Sequence, residues 1–139
     1  MAEEHPARVM SHRSMDCVAR KAKDEWVALF AEDGYVSDPV GASPLDPSGE
    51  GHHGHEAIAA FWDATIASIE QVGFEIHDSF AAGDECCNVA TILAHLPGGM
   101  VMRTDGVFVY RLNPEGQLAS LRAYWEWDRA MATIAPPAD

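Results

Sequence analysis

Apolar residues recur at three- and four-residue intervals near the start of the chain. Between positions 14 and 32, Met15, Val18, Ala19, Ala22, Trp26, Leu29 and Phe30 share one face of a predicted helix, with Arg13, Arg20, Lys21, Lys23 and Asp24 on its wet side. Glu32-Asp33-Gly34 is expected to stop that helix. Tyr35-Val36-Ser37-Asp38 then reads as a short strand, because Pro39 pushes the residue before it toward extended geometry. Positions 41–54 hold Pro44, Pro47, Ser48, Gly49 and Gly51 without periodicity, which predicts a loop of about a dozen residues, a length that often serves as a lid. A second helix is expected over about 55–70, with Ile58, Phe61, Trp62, Thr65, Ile66 and Ile69 on one side, ended by Gly73.

From there the pattern changes to strands over 74–80, 87–96, 100–112 and 117–127. They are punctuated by Ala82-Gly83-Asp84, Pro97-Gly98-Gly99 and Asn113-Pro114-Glu115-Gly116. Connections this short make consecutive strands antiparallel neighbours. The expected fold class is α+β: a curved antiparallel sheet wrapped over helices around an apolar interior. Residues 1–139 are expected to form one domain, with 1–13 a loosely ordered N-terminal arm. In the third strand Met102, Thr104, Gly106, Phe108 and Tyr110 share one face, while Arg103, Asp105, Val107, Val109 and Arg111 share the other. If Phe108 faces inward, Asp105 does not, unless a bulge at Gly106 shifts the phase. The phase of His95 stays open.

Composition narrows the classes. With 47% apolar and 22% charged residues, 11 Gly and 8 Pro, the chain can bury a core and is neither disordered nor collagen-like. A net charge of -13 repels phosphate, so nucleic acid and anionic membrane surfaces are not expected partners. The first fifteen residues include Glu3, Glu4, His5, Arg8, His12 and Arg13 and lack the apolar stretch of a secretory signal; no run is long enough to span a bilayer. Cys17, Cys86 and Cys87 fit neither a disulfide framework nor a zinc site, which suits a reducing cytoplasm. His52, His53 and His55 suggest a metal by proximity. Two of them fall in the Gly-rich loop with no carboxylate or fourth ligand clearly placed, so solvated histidines are expected rather than a metal site.

Val36 and Asp38 lie two apart and point to the same face of their strand. If Val36 faces the core, so does Asp38, and an unpaired carboxylate in an apolar setting has its pKa raised, as a general base working near neutral pH requires. The same residues also fit a turn-forming Asp before Pro at a rim, bonded to nearby amides.

The segments ending in Asp38-Pro39-Val40-Gly41, then Gly54-His55-Glu56-Ala57-Ile58-Ala59-Ala60-Phe61-Trp62, then 111–118 and Ala123-Tyr124-Trp125, resemble the ketosteroid isomerases of the nuclear transport factor two-like superfamily. The resemblance spans 14–127. It implies a sheet curled over helices into a cone-shaped apolar pocket, with a homodimer through the outer sheet face, where Val107 and Val109 lie. Asp38 matches the family's catalytic base, which removes a proton beside a carbonyl and returns it further along the dienolate, without a cofactor. Ser14, Val18, Phe30, Phe61, Trp62, Phe108, Leu121 and Trp125 would be substrate-binding, and a steroid or similar flat apolar ketone the ligand.

The chain departs from that family at the groups that stabilise the dienolate oxygen. Ser14 stands where relatives have a tyrosine, Phe108 where they have a protonated aspartate, and Phe30 and Trp62 where they have supporting tyrosines. Ser14 could reach an oxygen through water, or cap a helix. Trp62 and Trp125 could each donate an indole N–H. Two other readings follow: a steroid-binding protein without catalysis, or another enzyme on the same scaffold, such as a polyketide cyclase or an epoxide hydrolase.

Overall fold

The computed structural model describes residues 4–137. His5 opens the first helix, α1 (Pro6–Ala19): its Nδ1 accepts the Ala7 amide at 3.1 Å, and Pro6 occupies a position that needs no amide partner. Ala7, Met10, Ser11, Ser14 and Met15 are buried along it. The expected loose arm over 1–13 is therefore corrected to helix from Pro6 onward, and its positions 1–3 lie outside the described residues.

The helix expected over 14–32 is two helices. Lys21 adopts a left-handed backbone (φ 60°), and α2 (Lys23–Ala28) leaves at a new angle. The Lys21 ammonium donates to the carbonyls of Ile66 and Ile69 and so ties this corner to the segment at 66–69. Glu32-Asp33-Gly34 does not end a helix but lies within β1 (Phe30–Ser37). Gly34 is there for close approach: a Cβ would sit 2.9 Å from the Leu118 carbonyl oxygen.

The predicted loop after Pro39 contains a two-residue strand, β2 (His52–His53), paired with Tyr35 and Val36. Asp46 organises the loop by accepting the Gly51 amide at 2.8 Å and the Ser48 hydroxyl at 3.1 Å. The Gly51 bond is the largest cause of its lowered pKa. Helix α3 (Gly54–Ala64) and a 3₁₀ turn (Ile66–Ser68) follow. Then come β3 (Gln71–Ala82), β4 (Glu85–His95), β5 (Val101–Leu112) and β6 (Leu118–Tyr124).

These last strands pair antiparallel in sequence order, as expected, and β1 returns to run parallel beside β6, giving the order β2-β1-β6-β5-β4-β3. The six-stranded sheet is curved and unclosed. A register shift between Ile76 and Asp78 leaves His77 unpaired in the β3–β4 ladder, an irregularity of the kind that bends a strand. The strand expected over 117–127 stops at Tyr124, and Trp127–Met131 form a short helix, α4. Gly106 makes this exit feasible, since a Cβ there would meet the Tyr124 carbonyl oxygen at 2.6 Å and the Trp125 Cβ at 3.1 Å. No helix among the described residues is long and apolar enough to cross a membrane.

Candidate functional site

The helices and the concave face of the sheet enclose a cavity of about 330 Å³. Its walls are chiefly apolar: Val18 from α1, Phe61 from α3, Ile92 from β4, Met102 and Phe108 from β5, Leu121 from β6. Leu45 closes it from the loop, and Trp127 and Met131 from α4. Inward residues alternate along each strand. Ala94 and Leu96 line the cavity, so His95 between them points to the outer face. The β4–β5 register runs without a shift past Gly106, and Asp105 is exposed outside, accepting the Thr91 hydroxyl at 2.6 Å with Arg129 3.6 Å away.

Asp38 sits one residue beyond the end of β1, where Val36 and its partner Leu121 are both buried. The chain after it is pinned to β6 by the Val40 amide bonding to the Ala123 carbonyl at 2.8 Å. Asp38 is half-buried, its open side forming part of the cavity wall. Trp125 Nε1 donates to its Oδ1 at 2.5 Å. Loss of solvent raises the carboxyl pKa from 3.8 to about 6, against the opposing pull of the indole N–H, which favours the charged form. The carboxylate can therefore exchange a proton near neutral pH.

A second polar corner lies at the α1 side. Ser14, mid-helix and fully buried, does not cap α1, a role taken by His5. Its Oγ accepts the Trp26 indole N–H at 3.0 Å and neighbours the Tyr110 hydroxyl, on whose pKa it acts downward, as a hydrogen donated to the phenol oxygen does. Burial first, and then the nearby Asp38 charge, raise the Tyr110 pKa above the usual phenol value, which favours the protonated phenol near neutral pH.

Ser14, Val18, Phe61, Phe108, Leu121, Trp125 and Asp38 all reach the cavity. Phe30 and Trp62 do not, which corrects their expected place in its wall. Both pack behind Trp26, with ring centroids 5.1 Å and 5.3 Å from it, because the turn at Lys21 swings α2 between them and the cavity. Trp62 has no hydrogen-bonding part there. Sequence reasoning missed Trp26 and Tyr110 as site residues. Tyr110 had a usable sign, since its two-residue spacing from Phe108 puts it on the same face.

The three loop-region histidines diverge: His53 stacks on Tyr35, His55 Nε2 contacts the Phe30 carbonyl at 2.7 Å, and His52 packs against Phe61. Among the described residues no group of three His, Cys, Asp or Glu side chains converges to hold a metal ion.

Residues 12–121 match the model of the SnoaL-like domain. The chain belongs to the SnoaL-like domain family. Solved structures similar to this SnoaL-like chain include RV0760c from Mycobacterium tuberculosis, 31% identical over 97% of this chain and 98% of that one, with a TM-score of 0.86. They also include the Δ5-3-ketosteroid isomerase from Mycobacterium sp., 30% identical over 95% and 98% of the two chains, with a TM-score of 0.84. A computationally designed 17-OHP binder stands at the same identity, coverage and TM-score. No curated protein sequence matches it. The expected α+β fold and the likeness to ketosteroid isomerases are thus both found in this SnoaL-like domain.

Proposed function

We propose that this protein is an isomerase of the ketosteroid isomerase kind, moving a proton between carbons of a steroid or similarly flat, apolar ketone. The observation that carries the reading is one carboxylate, Asp38, with a pKa raised to about 6, facing a cavity whose walls are otherwise chiefly apolar. Asp38 takes the proton from the carbon between carbonyl and alkene, the electrons pass to the ketone oxygen as a dienolate, and the protonated carboxyl returns the proton at the far end of the conjugated system. Cavity and ligand match in character. RV0760c, similar over nearly its whole length, has been solved with estradiol-17beta-hemisuccinate, and the designed relative is a 17-OHP binder, which supports a steroid-shaped occupant here.

The test is to add a Δ5-3-ketosteroid and follow conjugated-enone absorbance, with Asp38→Asn alongside. General acid–base catalysis typically contributes about 100- to 10,000-fold, and turnover is expected to fall by at least about 1,000-fold in the variant. Equal turnover by the two proteins overturns the reading. A steroid carrier without catalysis is the second reading, favoured by Ser14 and Phe108 standing where relatives have oxyanion donors. Tight binding with no conversion would select it.

The working unit in this reading is a homodimer in a reducing cytoplasm. On the outer sheet face Phe80 is 60% exposed, and Val89, Val107 and Tyr124 are also open to solvent, an apolar surface suited to a second copy. Sedimentation should give twice the chain mass, and Phe80→Glu should return it to one; a monomeric wild type refutes the dimer.

A further inference from the structure

Removing a proton beside a carbonyl places negative charge on the ketone oxygen, and an apolar wall does nothing to stabilise it. A donor aimed at that oxygen is the largest aid a protein can supply. Several donors in the cavity wall are already occupied. Trp125 Nε1 donates to Asp38, Thr65 Oγ1 to the Phe61 carbonyl at 2.7 Å, and Ser68 Oγ to the Thr65 carbonyl at 3.0 Å. Thr104 is six residues from Tyr110 along β5, about 20 Å away at the rise of a strand, near the other end of the cavity. Trp127 brings one more indole N–H from α4, but it is only half-buried; the buried donors that remain are Ser14 and Tyr110.

The direction of the contact between them follows from Trp26. An indole N–H can only donate, so Ser14 Oγ is the acceptor toward Trp26 and keeps its own hydrogen to give. Passed to the Tyr110 oxygen, that hydrogen leaves the phenolic O–H free to point into the cavity, in an orientation set by two buried neighbours. We infer that Tyr110 is the catalytic hydrogen-bond donor to the ligand's ketone or phenol oxygen, with Ser14 and Trp26 as positioning residues behind it.

This inference rests on the isomerase reading for its catalytic role. It also assigns the end of the cavity at which any oxygen-bearing ligand anchors. The phenol comes from the sheet, and Ser14 on the facing helix is small enough to admit its hydroxyl. Because burial and the Asp38 charge both disfavour a phenolate, Tyr110 donates a hydrogen bond without giving up its proton. A proton taken by Asp38 therefore stays on Asp38 for return to carbon.

The experiment pairs turnover with binding. With a Δ5-3-ketosteroid, Tyr110→Phe should lower kcat by about 100- to 1,000-fold, the size seen when one oxyanion donor is lost, while KM changes less than about threefold. Ser14→Ala, which leaves the phenol in place but unaligned, should lower kcat by a smaller factor. In parallel, 2-naphthol and naphthalene are titrated into both proteins; they share a ring system and differ by one hydroxyl. Wild type should prefer 2-naphthol by about tenfold or more, and Tyr110→Phe should lose that preference. Unchanged kcat in a folded Tyr110→Phe protein overturns the inference and leaves the isomerase reading standing. If wild type turns nothing over, the isomerase reading fails, and the naphthol preference alone decides: retained in Tyr110→Phe, it overturns the donor; lost, it upholds it.

Discussion

Two indole N–H groups meet oxygen atoms at two polar corners of this cavity, and the acceptor determines what each accomplishes. Trp125 donates to the Asp38 carboxylate at 2.5 Å, and Trp26 to the Ser14 hydroxyl at 3.0 Å. At the first corner the acceptor can be charged, so the N–H favours its ionised form and restrains a pKa that burial drives up. At the second the acceptor is neutral and owns a hydrogen, so the N–H fixes which way that hydrogen goes and leaves the Tyr110 phenol free to donate. One corner accepts protons and the other offers a hydrogen bond. Proton transfer next to a carbonyl draws on both, a base for the proton and a donor for the oxygen.

The strongest way to break this comparison is to neutralise the first corner. Asp38→Asn removes the base, and the loss of turnover set out above, at least about 1,000-fold, is the largest effect expected from any single change here. The same variant has a second, opposite consequence for stability. The Asp38 carboxyl has a pKa of about 6 in the folded protein against 3.8 ordinarily. Between those values the folded state binds the proton more tightly than the unfolded state, so stability falls as pH rises. Below about pH 4 both states are protonated and the group contributes no penalty; above about pH 6 the penalty is complete. A shift of about two units corresponds to about 3 kcal/mol. Glu25 and Asp46, whose pKa values are lowered, titrate in the opposite sense, so the difference between wild type and variant is the quantity to measure. Denaturant unfolding should show Asp38→Asn more stable than wild type at pH 7 by up to about 3 kcal/mol, with the gap closing toward pH 4. A gap that does not depend on pH would mean that the carboxylate is not desolvated.

The two corners differed in how readily they could be read from the sequence. Asp38 was accessible twice, from its two-residue spacing to buried Val36 and from the Asp-Pro-Val-Gly resemblance. Strand alternation also placed Phe108 and Tyr110 on one face and Asp105 on the other, since a period of two survives as long as no bulge intervenes, and none does in β5 opposite β4. The second corner was obscured by Lys21. Apolar residues keep helical spacing straight through it, and a left-handed turn made by a lysine carries none of the signs a glycine would. Without that turn, α1 and α2 read as one helix and Trp26 is ordinary core, while Phe30 and Trp62 were placed in the cavity wall by the family resemblance alone. The short helix α4 was hidden for a related reason: five residues following a strand contain too little periodicity to be recognised.

A finer test keeps both acceptors and removes only the N–H at the first corner. In Trp125→Phe the aromatic bulk beside Trp127 is largely preserved, while Asp38 loses the single hydrogen bond that favours its charged form. Burial then acts unopposed, and the folded pKa should climb above about 6. A hydrogen bond to a charged group is worth about 1.5–3 kcal/mol, or roughly one to two pKa units, before water recovers part of it. The rising limb of kcat/KM against pH should move upward by about one unit. The variant should therefore be about twofold slower than wild type at pH 7 and about fivefold slower at pH 6, and the deficit should vanish by pH 9, because an Asp38 deprotonated there is a stronger base than in wild type. A deficit that persists at every pH would mean that Trp125 acts through packing. The midpoint separates the two, because loss of packing lowers the plateau but leaves the titration of the carboxylate where it was.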